Sequence, residues 1–124
     1  MKIALDKIEF HETPLEKVSM EAMSICVALD DVTEKRCSIR FSPFQAFRIT
    51  TVDCVLMETF LIDGRKPAYL LEDVDSSWIR GLKKELNRND GGADFLDKAH
   101  HYVFAFQDNV IEIVAWGFEV EEVI

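Results

Sequence analysis

The residues of this chain best suited to chemistry lie in its last quarter, His100-His101-Tyr102-Val103-Phe104-Ala105-Phe106-Gln107-Asp108-Asn109-Val110-Ile111-Glu112-Ile113-Val114-Ala115-Trp116. Two apolar, β-prone runs around a short polar break specify a β-hairpin. With Asp108-Asn109 as a two-residue turn, Tyr102, Phe104 and Phe106 share one face with Ile111, Ile113 and Ala115. The opposite face then carries His101, Val103, Ala105, Glu112, Val114 and Trp116. An imidazole, a carboxylate and an indole on one semi-apolar face are the parts of a binding patch. In a closed cleft they would also be parts of a proton-transfer site. The plainer use of such a face is packing under a helix or a second layer, with His101 and Glu112 at the rim. The assignment depends on the turn length, since a one-residue slip in pairing register would invert it.

Other candidates carry weaker signals. Arg36, Arg40 and Arg48 fall on strand-like sequence, and Arg36 and Arg40 share a face. Arginine can grip a carboxylate or phosphate bidentately, although pairing with neighbouring acids on an exposed sheet face is the commoner arrangement. Asp53 and Cys54 interrupt an apolar run and, with His101, would supply a nucleophile and a base. No GxSxG elbow or papain-like context accompanies them, so Cys54 is expected to be a buried packing thiol, like Cys26 and Cys37. His100 and His101 point to opposite faces of a strand and cannot chelate one ion together. The remaining histidine is His11, and no CxxC or HxH spacing occurs, so neither a metal nor a cofactor is expected. Glu58, Glu72, Asp73 and Asp75 add carboxylates, but among 23 acids such neighbours arise by chance. Gly91-Gly92 is not a phosphate cradle.

The elements that must position these residues are mostly strands. Ile3 and Leu5, then Ile8 and Phe10, alternate with a phase shift at Asp6-Lys7, which suggests a bulge or break. Met23, Ile25, Val27 and Leu29 alternate with polar or small residues. Cys37, Ile39 and Phe41 alternate with Arg36, Ser38 and Arg40. The two runs predict an antiparallel hairpin with one buried face. Ser42-Pro43 is a turn, and 44–56 continues as strand-like sequence with Phe47 and Ile49 on one parity and Arg48 and Thr50 on the other. Asp63-Gly64-Arg65-Lys66-Pro67 is a loop, followed by a short strand over 68–71. Asp75 or Ser76 caps an amphipathic helix over about 76–88. Its apolar stripe is Trp78, Ile79, Leu82 and Leu86, and it stops at the residues around Gly91-Gly92. A short helical turn is expected over 94–99, and the acidic tail 119–124 is expected as an edge strand or a frayed end. The predicted class is α+β: a mainly antiparallel, curved or partly closed sheet, one helix packed on it, and a C-terminal hairpin, in a single domain covering 1–124.

The chain has 124 residues, 14 basic and 23 acidic, for a formal charge of −9. That balance opposes general nucleic-acid binding, which rests on neutralising phosphates, and favours encounter with a basic protein partner. Charge appears within six residues of the N-terminus, which argues against a signal peptide. No run reaches the roughly 18 apolar residues of a membrane span. Three irregularly spaced cysteines suit a reducing compartment, so the expected location is cytoplasmic.

Two segments carry a resemblance: Phe41-Ser42-Pro43-Phe44-Gln45-Ala46-Phe47-Arg48-Ile49-Thr50-Thr51-Val52-Asp53-Cys54 is one, and Ser77-Trp78-Ile79 followed later by His101-Tyr102-Val103-Phe104-Ala105-Phe106-Gln107-Asp108 and Glu112-Ile113-Val114-Ala115 is the other. Together they resemble small single-domain bacterial proteins of unknown function. The resemblance spans under half of the chain, implies a bacterial origin and a compact fold, and transfers no site residue. The functional expectation is a non-enzymatic acidic protein that binds and blocks a basic partner, as immunity proteins do. One alternative is a small enzyme or ligand-binding domain using His101 and Glu112. The other is a homo-oligomeric structural module.

Overall fold

The structure, a computed structural model, describes residues 1–122. Strands β1 (Lys2–Leu5), β2 (Lys17–Glu21), β3 (Ser24–Asp30), β4 (Arg36–Phe41), β5 (Phe44–Thr51) and β6 (Leu70–Asp73) precede the helix α1 (Ser77–Asn89). Strands β7 (His100–Ala105), β8 (Asn109–Ala115) and β9 (Phe118–Glu122) follow it. They form a five-stranded sheet in the order β1-β6-β7-β8-β5 and a four-stranded sheet in the order β2-β3-β4-β9, both antiparallel. The α+β class, the helix and the terminal hairpin are as the sequence predicts. The strands are divided between two stacked sheets, with no closed barrel among the described residues.

Period-two alternation builds the core between the sheets. Ile25, Val27 and Leu29 of β3 and Cys37, Ile39 and Phe41 of β4 meet Tyr102, Phe104, Ile111, Ile113 and Ala115 from β7 and β8. Phe41 packs edge-on to Phe104 with ring centroids 5.7 Å apart, and Phe10 tilts against Phe104 and Phe106. Offset and edge-to-face rings of this kind add attraction beyond area burial. The chain changes sheet three times, between β1 and β2, at Ser42-Pro43 and at Trp116-Gly117. The last two crossings are tied together, because Ser42 N–H donates to the Gly117 carbonyl and Trp116 N–H to that of Pro43.

The opposite face of the five-stranded sheet is also covered. Beyond Thr51 the chain leaves the strand expected there and makes two 3-10 turns, 52–54 and 57–60. Phe60, with Val52, Val55, Met57 and Ile62, packs on Leu71, Val103, Ala105 and Val110. The helix covers another part of that face, turning Trp78, Ile79, Leu82 and Leu86 inward, each partly buried. Between the turns and the helix, part of the sheet stays open.

In the terminal hairpin, Phe106 N–H donates to the Asn109 carbonyl and Ala105 pairs with Val110, so the two turn residues are Gln107 and Asp108. The turn lies one residue earlier than the expected Asp108-Asn109. Moving the turn by one residue shifts the pairing by two positions, so parity is kept and both face assignments stand. The Asp30–Arg36 connection is shaped by Asp31, whose carboxylate accepts from the Thr33 N–H and hydroxyl and from the Lys35 N–H. Strand β2 was not anticipated. Its polar, largely exposed Lys17-Val18-Ser19-Met20-Glu21 alternates only through Val18 and Met20.

Candidate functional site

Three strands and a helix N-terminus converge on the open part of the sheet. Arg48 and Glu112 are directly opposite each other on β5 and β8, and His101 on β7 is a diagonal neighbour of Glu112 on the same face. Cross-strand and diagonal positions are where side chains of this length meet. Arg48 donates to Glu112 twice, from Nε to Oε2 at 2.7 Å and from Nη2 to Oε1 at 3.0 Å. His101 Nε2 lies 2.8 Å from Glu112 Oε1, and its Nδ1 lies 2.7 Å from Ser76 Oγ.

Ser76 holds two positions in this chain of contacts. It is the helix N-cap, and its Oγ accepts the Ile79 N–H at 3.1 Å. Its hydroxyl proton is then free to go to His101 Nδ1, and the Nε2 proton of the imidazole to Glu112. One tautomer satisfies every member. His101 and Glu112 are 4% and 3% exposed, and groups so deep persist only when hydrogen-bonded. Trp78 closes the top. The Arg48 guanidinium stacks 4.0 Å above its ring, and the indole meets the His101 ring nearly edge-on at 5.2 Å.

Burial by itself would raise the Glu112 carboxyl pKa. The hydrogen bonds from His101 and Arg48, with their charges, outweigh it and bring the group from 4.5 to about 2. Glu112 is thus an ionised anchor that fixes Arg48. Above it opens a groove of about 380 Å³, walled by Cys54, Val55, Leu56 and Thr59 from the 3-10 turns, by Asp73, and by Ser77 and Trp78. No family model, curated protein or solved structure matches the chain.

The sequence-predicted residues divide. His101, Glu112 and Arg48 come together. Trp116 does not join them: β8 ends at Ala115, and the sheet crossing carries the indole away to donate to the Phe95 carbonyl, under the Lys98 ammonium. Arg36 and Arg40 belong to the other sheet. Arg36 donates to Asp30 and to the Pro14 and Leu15 carbonyls, and Arg40 pairs with Glu119 and Glu121. Asp53 sits exposed in the first 3-10 turn and is not among the groove-lining residues. Of the three thiols expected to be buried, Cys37 is, Cys26 is half-buried, and Cys54 departs furthest. The strand ends before it, so it is exposed at the groove wall rather than buried. The acids of the C-terminal strand and those before the helix lie on different sheets, since Glu119 and Glu121 face Arg40 whereas Glu72 pairs with Lys2 and His100.

Ser76 and Trp78 take the places that the hairpin alone could not fill. Both were visible as a cap and a helix stripe, but nothing local joins a helix start to a strand 25 residues away. Ser76→Ala should therefore do more than uncap the helix. It removes the acceptor for Ile79 N–H and the donor to His101, for a combined loss of about 2 kcal/mol in urea unfolding. Ser76→Thr should retain most of that.

Proposed function

We propose that the protein is a non-enzymatic binding protein whose recognition site is this groove and whose partner is a basic protein segment, in the manner of immunity proteins that neutralise toxins. The observation that carries the reading is the completeness of the Ser76–His101–Glu112–Arg48 chain. Both imidazole nitrogens and both Glu112 oxygens are engaged, and Ser76 is buried and committed to its helix. Such an arrangement makes a rigid floor. A proton-transfer site would need a group left to react. Charge supplies the partner's sign: the chain carries −9, and Asp73 and Asp75 stand at the helix start beside the groove. Encounter with a cationic surface is accelerated by such a field and weakened by salt.

The test is affinity capture with the wild-type protein and with an Asp73→Asn/Asp75→Asn variant. A stoichiometric basic partner should be retained at low salt and released at high salt. The double variant should bind it at least about tenfold more weakly, as expected for lost charge complementarity. Recovery of no partner at any salt, or of one indifferent to both carboxylates, would count against the reading.

A second reading, a small hydrolase, rests on the order of the same contacts, because hydroxyl, imidazole and carboxylate follow one another as in a nucleophilic triad. Labelling of Ser76 by a serine-reactive fluorophosphonate would favour it. An unlabelled protein supports the binding reading.

A further inference from the structure

The two sheets have four edges, and three of them are blunted. Strand β1 is four residues long with a register break between Ile3 and Leu5. Strand β2 is five residues and bears Lys17 and Glu21, and β9 bears Glu119 and Glu121. Short strands, irregularities and charges are how proteins keep sheet edges from pairing with other chains.

Strand β5 has none of these defences along Ala46–Thr51. It is the longest strand, eight residues without an acid or a proline, and its single charge, Arg48, is engaged by Glu112. Only β8 pairs with it among the described residues. Phe47 and Ile49 lie opposite the buried Ile113 and Ile111, yet they are 36% and 48% exposed because nothing lies beyond them.

We infer that β5 pairs antiparallel with β5 of a second copy of this chain, about a two-fold axis normal to the sheet at Ile49. The two five-stranded sheets then form one continuous sheet. Such an axis keeps the inner faces on the same side, so residues pair at equal parity. Centred on Ile49, it sets Ile49 against its symmetry mate, Arg48 against Thr50 and Phe47 against Thr51. Each apolar side chain meets an apolar or β-branched one, and no like charges meet. Centring on Arg48 would oppose two guanidinium groups, which is unfavourable. The occupant is a second copy because the strand is self-complementary in this register. Two chains of charge −9 repel over most of their surface, and this carboxylate-free strand gives them an edge at which to meet. A basic partner seeks carboxylates, so this pairing stands or falls separately from the proposed function.

Light scattering after size exclusion, on the full chain, reads the result directly. From about 5 to about 500 μM, the wild type should move toward twice the 14.3 kDa chain mass. Ile49→Lys should remain at the single-chain mass with an unchanged far-UV circular dichroism spectrum. Met20→Lys, on the rival edge β2, should still dimerise. Hydrogen exchange adds a readout without a variant: amides of 46–51 should exchange more slowly as concentration rises. A single-chain mass throughout this range overturns the inference. So does a dimer that survives Ile49→Lys, or one lost through Met20→Lys.

Discussion

Replacing Glu112 with alanine should lower the unfolding free energy by about 3–5 kcal/mol, the range for removing one partner from a buried ion pair. The size follows from what is left behind. Glu112 is 3% exposed and accepts two hydrogen bonds from Arg48 and one from His101. Alanine strands the imidazole N–H in a nearly dry site and leaves the guanidinium held only by the Trp78 ring. Glu112→Gln is the informative comparison. It keeps the shape and one acceptor oxygen but loses the charge, so its loss should be about 2–3 kcal/mol, the scale of hydrogen bonds to a charged group. Pairing each variant with Arg48→Met separates the contributions. If the stranded guanidinium accounts for much of the cost, Arg48→Met should be far less harmful beside Glu112→Ala than alone, giving a coupling of about 1–3 kcal/mol. Urea denaturation at constant m-value measures all of these. A Glu112→Ala loss below about 1 kcal/mol, the level of an exposed pair, would mean that the network contributes little to the fold.

The same residues show how far sequence reasoning reaches. Alternation in 100–116 put His101 and Glu112 on one face, and the displaced turn did no harm because a shift of two pairing positions preserves parity. The cap and stripe at Ser76, Trp78, Ile79, Leu82 and Leu86 located the helix to within a residue at each end. The hidden features depend on tertiary context. Strands β4 and β5 carry similar alternation, and nothing local says that Ser42-Pro43 passes the chain from one sheet to the other. That crossing separates Arg48 from Arg36 and Arg40, which sequence alone treats as equivalents. Trp116 has the right parity but falls one residue past the end of β8. Trp78 reaches the site from a helix that pattern analysis assigns simply to packing. Val52 to Ile62 contains enough β-branched and apolar residues to prolong a strand, yet tertiary packing of Phe60 over Val103 and Val110 bends it into 3-10 turns. Local propensity yields when a larger apolar face can be covered.

Acid should dismantle the network in a defined window. The Glu112 carboxyl lies at about 2 in the folded protein against an ordinary 4.5. Burial opposes that depression, and the hydrogen bonds from His101 and Arg48 with their charges produce it. A folded-state pKa below the unfolded one means that the unfolded chain binds the proton more readily. The stabilisation is therefore complete above about pH 4.5 and is lost as the pH falls toward 2. At about 1.4 kcal/mol per unit, the full effect is about 3 kcal/mol. Other carboxylates contribute to acid unfolding too. Asp31, lowered by the Thr33 hydroxyl and the Lys35 N–H, is one of them, so the wild-type curve alone does not isolate Glu112. The difference between wild type and Glu112→Gln does, because glutamine has no proton to gain there. Urea unfolding at intervals from pH 6 to pH 2.5 should show the two proteins separated by a constant amount down to about pH 4.5, then converging as Glu112 is neutralised. Parallel curves throughout would mean that the carboxylate gains nothing from Arg48 and His101. In that case the floor of the groove would be held by packing against Trp78 rather than by charge.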